Sequence, residues 1–437
     1  MKIVRYILFG CIMIMLVLPA FQLYTGIFPE KPLHGAITVP EKPIFSAKTW
    51  FDASYQKSYD DYLEQGIGFR STLIRINNQI AFSVFDTALA NGVIIGKKNC
   101  LYEYNYIKAY EGIDFSGFDK INQEIEKAKY IQNKLKESGK QFLIVFVPGK
   151  ASYFPEFIPD KYQVKDRSFT NYDTYTKRCR EEGINYLDLN KWFMQMKDTS
   201  RYPLYTKAGI HWSLYGVALS VDTLVKVMQR MAGIKMVGYG WDGIELSSKP
   251  RETDDDIAQG MNVLFPVKTG VLAYPKIRFD EGPDRVKPNV LVVGDSYYWN
   301  IMGSGTAARL FGDNNFWYYN REAHNPAWPE PKKVSDLNLV DVIKKQQFIM
   351  LMFTEANLSR FGFGFIDDAY NALQHPEKSS IISPAEKEKR VQEIIADIRR
   401  KPDMVKLIRD KSVKNKVSFE KMLHGDATWI FEQSRSK

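Results

Sequence analysis

The sequence predicts an α/β fold: a parallel sheet with helices on both faces, behind an N-terminal membrane anchor and ahead of a small C-terminal helical region. Three observations carry this. From residue 118 onward, short apolar runs alternate with amphipathic stretches, the pattern of strand–helix repeats. The runs 142–147 (Phe-Leu-Ile-Val-Phe-Val) and 290–293 (Val-Leu-Val-Val) are continuously apolar, as strands covered on both faces must be. Lys2 and Arg5 precede a stretch of roughly 20 uncharged, mostly apolar residues, the length that crosses a bilayer core.

Taken in order, residues 1–28 read as a signal anchor. Positive charge before the apolar stretch keeps the N-terminus cytoplasmic and sends the bulk across. A cleaved signal peptide is the competing reading, but Leu18-Pro19-Ala20 lacks a small residue at the first key position. Leu8-Phe9-Gly10-Cys11 is a poor lipoprotein box, because apolar residues continue beyond it. On each reading the rest of the chain works outside the cytoplasm.

The main domain is expected over 29–378. Its lead-in, 29–95, begins Pro-rich and extended. It continues as a helical region over 46–82, where Trp50, Phe51, Tyr55, Tyr59, Tyr62 and Leu63 recur near helical spacing. Gly66-Ile67-Gly68-Phe69-Arg70 interrupts it as a turn. Short strands follow at 93–96 and 100–102. A Lys- and Glu-rich helix over 118–138 ends at Gly139. After the strand 142–147 come a helix at 172–182, a strand at 184–189, a helix at 212–231, and strands at 290–293 and 347–353. Residues 233–288 are less regular and read as an insertion. Over 379–437, Ser383-Pro384-Ala385-Glu386 supplies a cap, a first-turn proline and a glutamate three residues after the cap. The two or three helices that follow are expected to pack on the main domain.

The 437 residues are 14% aromatic and 25% charged, a globular composition. The net charge of +9, densest over 387–416, favours acidic partners in general, but no nucleic-acid motif is present and a solvated helical face accounts for most of it. Cys11, Cys100 and Cys179 form no CxxC pair, and the five histidines have no HExxH spacing, so no metal site and no cofactor are expected. Cys100 and Cys179 are free to pair in an oxidising compartment; the sequence does not decide it.

In an open α/β sheet, ligands bind beyond the carboxyl ends of the strands. Three segments there carry polar groups: Pro148-Gly149-Lys150, Gly294-Asp295-Ser296 and Thr354-Glu355-Ala356-Asn357. A fourth, Lys207 to Ser213 with His211 inside it, heads a helix. A serine needs a base to become a nucleophile, and histidine has the pKa for that task. Ser296 and His211 are therefore the economical pair. Against this stand plainer readings: a helix cap at Asp295 or Ser296, a structural His211, a surface Lys150 and a solvated Glu355.

Four blocks then resemble the SGNH-type alginate O-acetylation proteins of the AlgJ and AlgX kind. They are Trp50-Phe51-Asp52 through Phe69-Arg70; Val145-Phe146-Val147-Pro148-Gly149-Lys150 with the downstream Pro155; His211-Trp212-Ser213-Leu214-Tyr215-Gly216; and Gly294-Asp295-Ser296. They run in family order, histidine before serine. The resemblance implies an SGNH-hydrolase-like domain, Ser296 as the acetyl-carrying nucleophile and His211 as its base. It implies a membrane-anchored periplasmic O-acetyltransferase, closer to the AlgJ kind. An exported polysaccharide would be the acceptor, and a polytopic membrane O-acyltransferase would deliver the acetyl group. Lys150, Asp295, Tyr297 and Tyr298 are expected at the substrate, with some of the aromatic residues in the core.

One departure stands out. The family usually has aspartate two residues before the histidine, where this chain has Gly209. Three readings compete: a Ser296–His211 dyad, Glu355 as the acid from another strand, or a protein that binds polymer without catalysis. A secreted esterase using the same residues is a further alternative.

Overall fold

The computed structural model describes residues 2–35, 40–375, 384–415 and 417–435. At its centre is a seven-stranded sheet in the order β10-β9-β8-β7-β11-β3-β4. Its strands are β3 (Gln141–Val147), β4 (Tyr186–Asp188), β7 (Val290–Gly294), β8 (Asn314–Tyr318), β9 (Glu322–His324), β10 (Lys332–Lys333) and β11 (Phe348–Thr354). From β4 to β8 neighbouring strands are parallel, and only the β8–β9–β10 edge turns antiparallel. The register sets Val290 opposite Phe348 and Phe348 opposite Gln141. Every residue of β7 and β11 is buried. This explains the continuous apolar runs: both faces are covered.

Alternate strand residues feed two cores. Leu143, Val145, Val290, Val292 and Met350 meet the helix Leu214–Ala232 on one face. Phe142, Ile144, Leu291, Val293 and Leu351 meet the helices Phe118–Glu137 and Phe365–Gln374 on the other. Cys100 belongs to the first core and Cys179 to the second, and both are free thiols. The sheet itself keeps them apart.

The lead-in divides into α1 (Lys2–Thr25), α2 (Ala47–Phe51), α3 (Ser54–Gly66) and α4 (Arg70–Phe85), followed by the hairpin of β1 (Val93–Ile95) and β2 (Leu101–Glu103). The expected helical stretch over 46–82 is broken twice, at Ala53 and at Phe69, both with positive φ. Among the described residues, α1 is the one helix long and apolar enough to cross a membrane. The region 233–288 holds a second hairpin, β5 (Gly238–Ser247) with β6 (Leu272–Asp280), and between them the one-turn helix Asp256–Gly260.

Three helices close the chain: Pro384–Arg399, Pro402–Lys414 and Phe419–Arg435. They share a small core of their own around Val391, Ile395, Ile398, Ile408, Leu423 and Ala427. The expected cap Ser383 lies outside the described residues.

Candidate active site

Strands β3, β7 and β11 are parallel, so their carboxyl ends share one edge. At that edge β7 ends in Gly294. A β-carbon there would press on the Met352 carbonyl of β11, so only glycine lets the chain turn this close to its neighbour. Asp295 then caps a single turn, Ser296–Tyr298, its carboxylate accepting from the Tyr297 N–H at 3.1 Å. Its other oxygen accepts from the Thr354 N–H (2.8 Å), the Thr354 hydroxyl (3.0 Å) and Asn357 (2.8 Å). Burial raises the Asp295 pKa above its ordinary value, and these hydrogen bonds oppose the shift. Asp295 thus ties the turn carrying Ser296 to the end of β11. The plain reading of a capping Asp295 is correct, and it leaves Ser296 partly exposed at the sheet edge.

His211 reaches that serine from the segment before the helix Leu214–Ala232, which Ser213 caps. Its Nε2 lies 2.9 Å from Ser296 Oγ. Its Nδ1 lies 2.5 Å from Oδ2 of Asp256, which sits in the region read as an insertion. The other Asp256 oxygen accepts from the N–H groups of Ile210 and Ile257, each at 2.8 Å. The carboxylate is therefore fixed at one oxygen and points the other at the imidazole. Tyr297 steadies the same ring: its hydroxyl donates to the Ile210 carbonyl at 2.5 Å, and its ring lies 4.6 Å from that of His211, centre to centre.

Gly209 is explained by the same neighbourhood. A β-carbon there would collide with the Thr253 carbonyl and lie 2.8 Å from that of Asp254. Thr206 donates to the Asp254 carbonyl, and the Ala258 N–H donates to the Ala208 carbonyl at 3.0 Å. The segment 253–258 is laced onto 206–211 and occupies the space a side chain at 209 would need. The acid beside His211 arrives from that segment.

The remaining expectations are corrected by burial. Glu355 is not the acid partner of His211. It is buried beneath Gly149, accepting from Ser152 and, at 2.5 Å, from Asn190. Burial raises its pKa to about 7. Lys150, expected at the substrate, is fully buried, with its ammonium donating to the carbonyls of Gly209 and Lys207, the latter at 3.0 Å. Burial lowers its pKa to about 8. Asp295, Tyr297 and Tyr298 were also expected at the substrate; each is at most 1% exposed. The Tyr298 hydroxyl is spent on Asn314 at 2.8 Å. All these residues brace the site from behind.

In front of Ser296 and His211 lies a cleft of about 470 Å³, which Glu103, Tyr106, Asp256, Tyr318, Tyr319, Asn357 and Arg360 help to line. Arg360 donates to Asn357 at 3.0 Å. Burial first, and the nearby Asp256 charge second, push the Glu103 carboxyl up, while His211 opposes them. Among the described residues no three His, Cys, Asp or Glu side chains gather as a metal site. Asp256, Glu103, Tyr318, Tyr319 and Arg360 escaped the sequence reading. None sits in a motif, and for Asp256 the sole signal was the vacancy at Gly209.

Residues 93–239 match the family described as SGNH hydrolase-like domain, acetyltransferase AlgX. This bears out the family resemblance; the second and third of the four blocks lie within the match. The matched third of the chain includes Lys150 and His211 and stops short of Asp256 and Ser296. No curated protein matches the chain by sequence. Solved structures with similarity include the O-acetyltransferase domain of Pseudomonas putida AlgJ, 16% identical over 64% of this chain and 99% of that one, with a TM-score of 0.41. Pseudomonas aeruginosa AlgX is 14% identical over 63% of this chain and 67% of that one, with a TM-score of 0.40. Bacillus cereus PatB1 is 12% identical over 56% and 93%, with a TM-score of 0.37.

Proposed function

We propose that the protein is an extracytoplasmic O-acetyltransferase that moves an acetyl group onto hydroxyls of an exported polysaccharide through an acetyl-Ser296 intermediate. The observation that carries this is the continuous line from Asp256 Oδ2 through His211 to Ser296 Oγ, at 2.5 and 2.9 Å, opening into a cleft. The acetyltransferase family match over 93–239 supports the choice of acetyl chemistry.

In the first half-reaction Ser296 Oγ attacks the acetyl carbonyl carbon of the donor. His211 Nε2 takes the hydroxyl proton as the C–O bond forms, and Asp256 stabilises the resulting imidazolium. The donor's leaving oxygen departs with that proton. The Ser296 N–H, at the start of its turn, is the proposed donor to the developing oxyanion. In the second half a sugar hydroxyl gives its proton to His211 and its oxygen attacks the acetyl carbon; Ser296 leaves and recovers the proton. Tyr318 and Tyr319 replace Tyr297 and Tyr298 as the aromatic residues offered to a sugar ring, since they line the cleft. The acetyl group would be delivered by a polytopic membrane acyltransferase beside the anchor α1.

The test is mass spectrometry of the chain incubated with a chromogenic acetyl ester. Acetyl on Ser296 that requires His211, and that an oligosaccharide discharges faster than water does, is the expected result. Discharge by water alone would replace the transferase with an esterase. A folded protein that forms no adduct would replace it with a polymer-binding protein.

A further inference from the structure

Helix α4 turns an apolar stripe away from the domain. Its inner face sets Phe82 against the first core beside polar groups: Arg75, 7% exposed, donates to the carbonyls of Lys31 and Pro32, each at 2.8 Å, and Asn78 donates to that of Met261 at 2.8 Å. Its outer face is apolar: Leu73, Ile76, Ile80 and Val84 are 51%, 40%, 49% and 67% exposed. At 3.6 residues per turn these four fall in a stripe about 80° wide. A surface helix in water turns polar and charged residues outward instead. Leu264 and Phe265, 43% and 66% exposed, extend the apolar surface, held there by the Phe265 N–H on Gln79 at 2.9 Å.

What covers this face is indicated by where α4 begins. The Gly68 backbone lies against the Pro19 carbonyl of α1 with no room for a side chain. The Phe69 N–H donates to Gln22 at 3.3 Å, and the Phe69 ring sits 5.9 Å from that of Phe28. The Thr72 N–H donates to Glu30 at 2.9 Å. Helix α4 therefore starts against the last turns of the helix read as membrane-crossing.

We infer that α4, with Leu264 and Phe265, lies in the surface of the membrane that α1 crosses, apolar stripe down, and seats the domain on the extracytoplasmic leaflet. This rests on the reading of α1 as a membrane span. The chain leaving α4 reaches Ala90 and Asn91, which line the Ser296 cleft. Seating α4 thus holds one rim of the cleft against the bilayer, where an acetyl donor emerging from the membrane would be met.

The experiment uses the full chain in protein-free liposomes of phosphatidylethanolamine and phosphatidylglycerol. Cys100 and Cys179 are buried, so a spin label on native Cys11 reports α1 alone. In a Cys11→Ser background, Ile80→Cys and Val84→Cys report α4, and Lys177→Cys reports the water-facing domain. Labels at 80 and 84 are expected to collide several-fold more with oxygen than with an aqueous nickel chelate, as Cys11 does, and the label at 177 the reverse. A lipid-exposed Cys11 with nickel-accessible labels at 80 and 84 would overturn the seating while sparing the anchor, and would assign the face to a protein partner. A nickel-accessible Cys11 would overturn both.

Discussion

Asp256→Asn isolates the orientation of His211 from everything else in the site. In the native structure Asp256 Oδ1 accepts two backbone N–H groups, from Ile210 and Ile257. An amide must keep its carbonyl oxygen there, because an NH₂ facing two N–H donors would leave all of them unpaired. The substituted NH₂ is then forced toward His211 Nδ1, where the carboxylate oxygen now lies at 2.5 Å. An NH₂ can only donate, so Nδ1 becomes the acceptor and the ring proton moves to Nε2. That nitrogen faces Ser296 at 2.9 Å and can no longer take its proton. The equivalent substitution in a Ser-His-Asp protease lowers kcat by about 10⁴, or about 5.5 kcal/mol. A similar loss in the rate of Ser296 acetylation is expected, with the fold unchanged. Single-turnover kinetics with a chromogenic acetyl ester would measure it, alongside a melting curve. Acetylation within about threefold of the native rate would refute the role of Asp256 and return Ser296 and His211 to a dyad.

Three further outcomes follow from the same contacts. Gly209→Asp should not rescue Asp256→Asn, because a side chain at 209 meets the carbonyls of Thr253 and Asp254; Gly209→Ala alone should cost about 1–3 kcal/mol in unfolding experiments. Lys150→Met leaves the Gly209 carbonyl without its ammonium donor, while the Lys207 carbonyl keeps the Leu101 N–H at 2.8 Å. It should destabilise by about 2–5 kcal/mol and lower kcat more than it changes KM, and Lys150→Arg should not restore either, since a planar guanidinium does not replace the point donor. Glu355→Gln should flatten the pH dependence of stability. With its folded pKa raised to about 7 from an ordinary 4.5, Glu355 favours the fold below pH 4.5 and loses that contribution as pH rises through 7. Native stability should therefore fall by about 2–3 kcal/mol from this group between pH 5 and pH 8, and the variant's should not.

The sheet was legible because burial on both faces leaves a one-dimensional mark. Residues 142–147 and 290–293 are apolar at every position, and each position proves buried. Ser296 and His211 were legible for a related reason: each sits beside an element whose start or end the sequence announces, a strand running into Gly-Asp-Ser and a helix capped by Ser213. The bracing residues misled because residue type says nothing about which way a side chain turns. Tyr297 and Tyr298 follow the serine directly, yet a tight turn swings both rings into the core. Lys150 looked solvent-facing by type, and its ammonium is instead drawn inward to the Gly209 and Lys207 carbonyls, the second of which also accepts from the Leu101 N–H.

Asp256 was illegible for a deeper reason. What a serine–histidine pair needs is an oxygen at one point in space, on the Nδ1 side of the ring. Many chain positions can supply it. Here the supplier lies 45 residues after the histidine, in a one-turn helix with no periodicity of its own. Yet the substitution leaves a trace at the vacated position. With the acid brought in on the segment 253–258, that segment must pass directly over residue 209, and the passage is open only if residue 209 has no side chain. Gly209 has a steric reason of its own. It is the clearance that lets the acid arrive from elsewhere, and the two features stand or fall together under the paired substitutions described above.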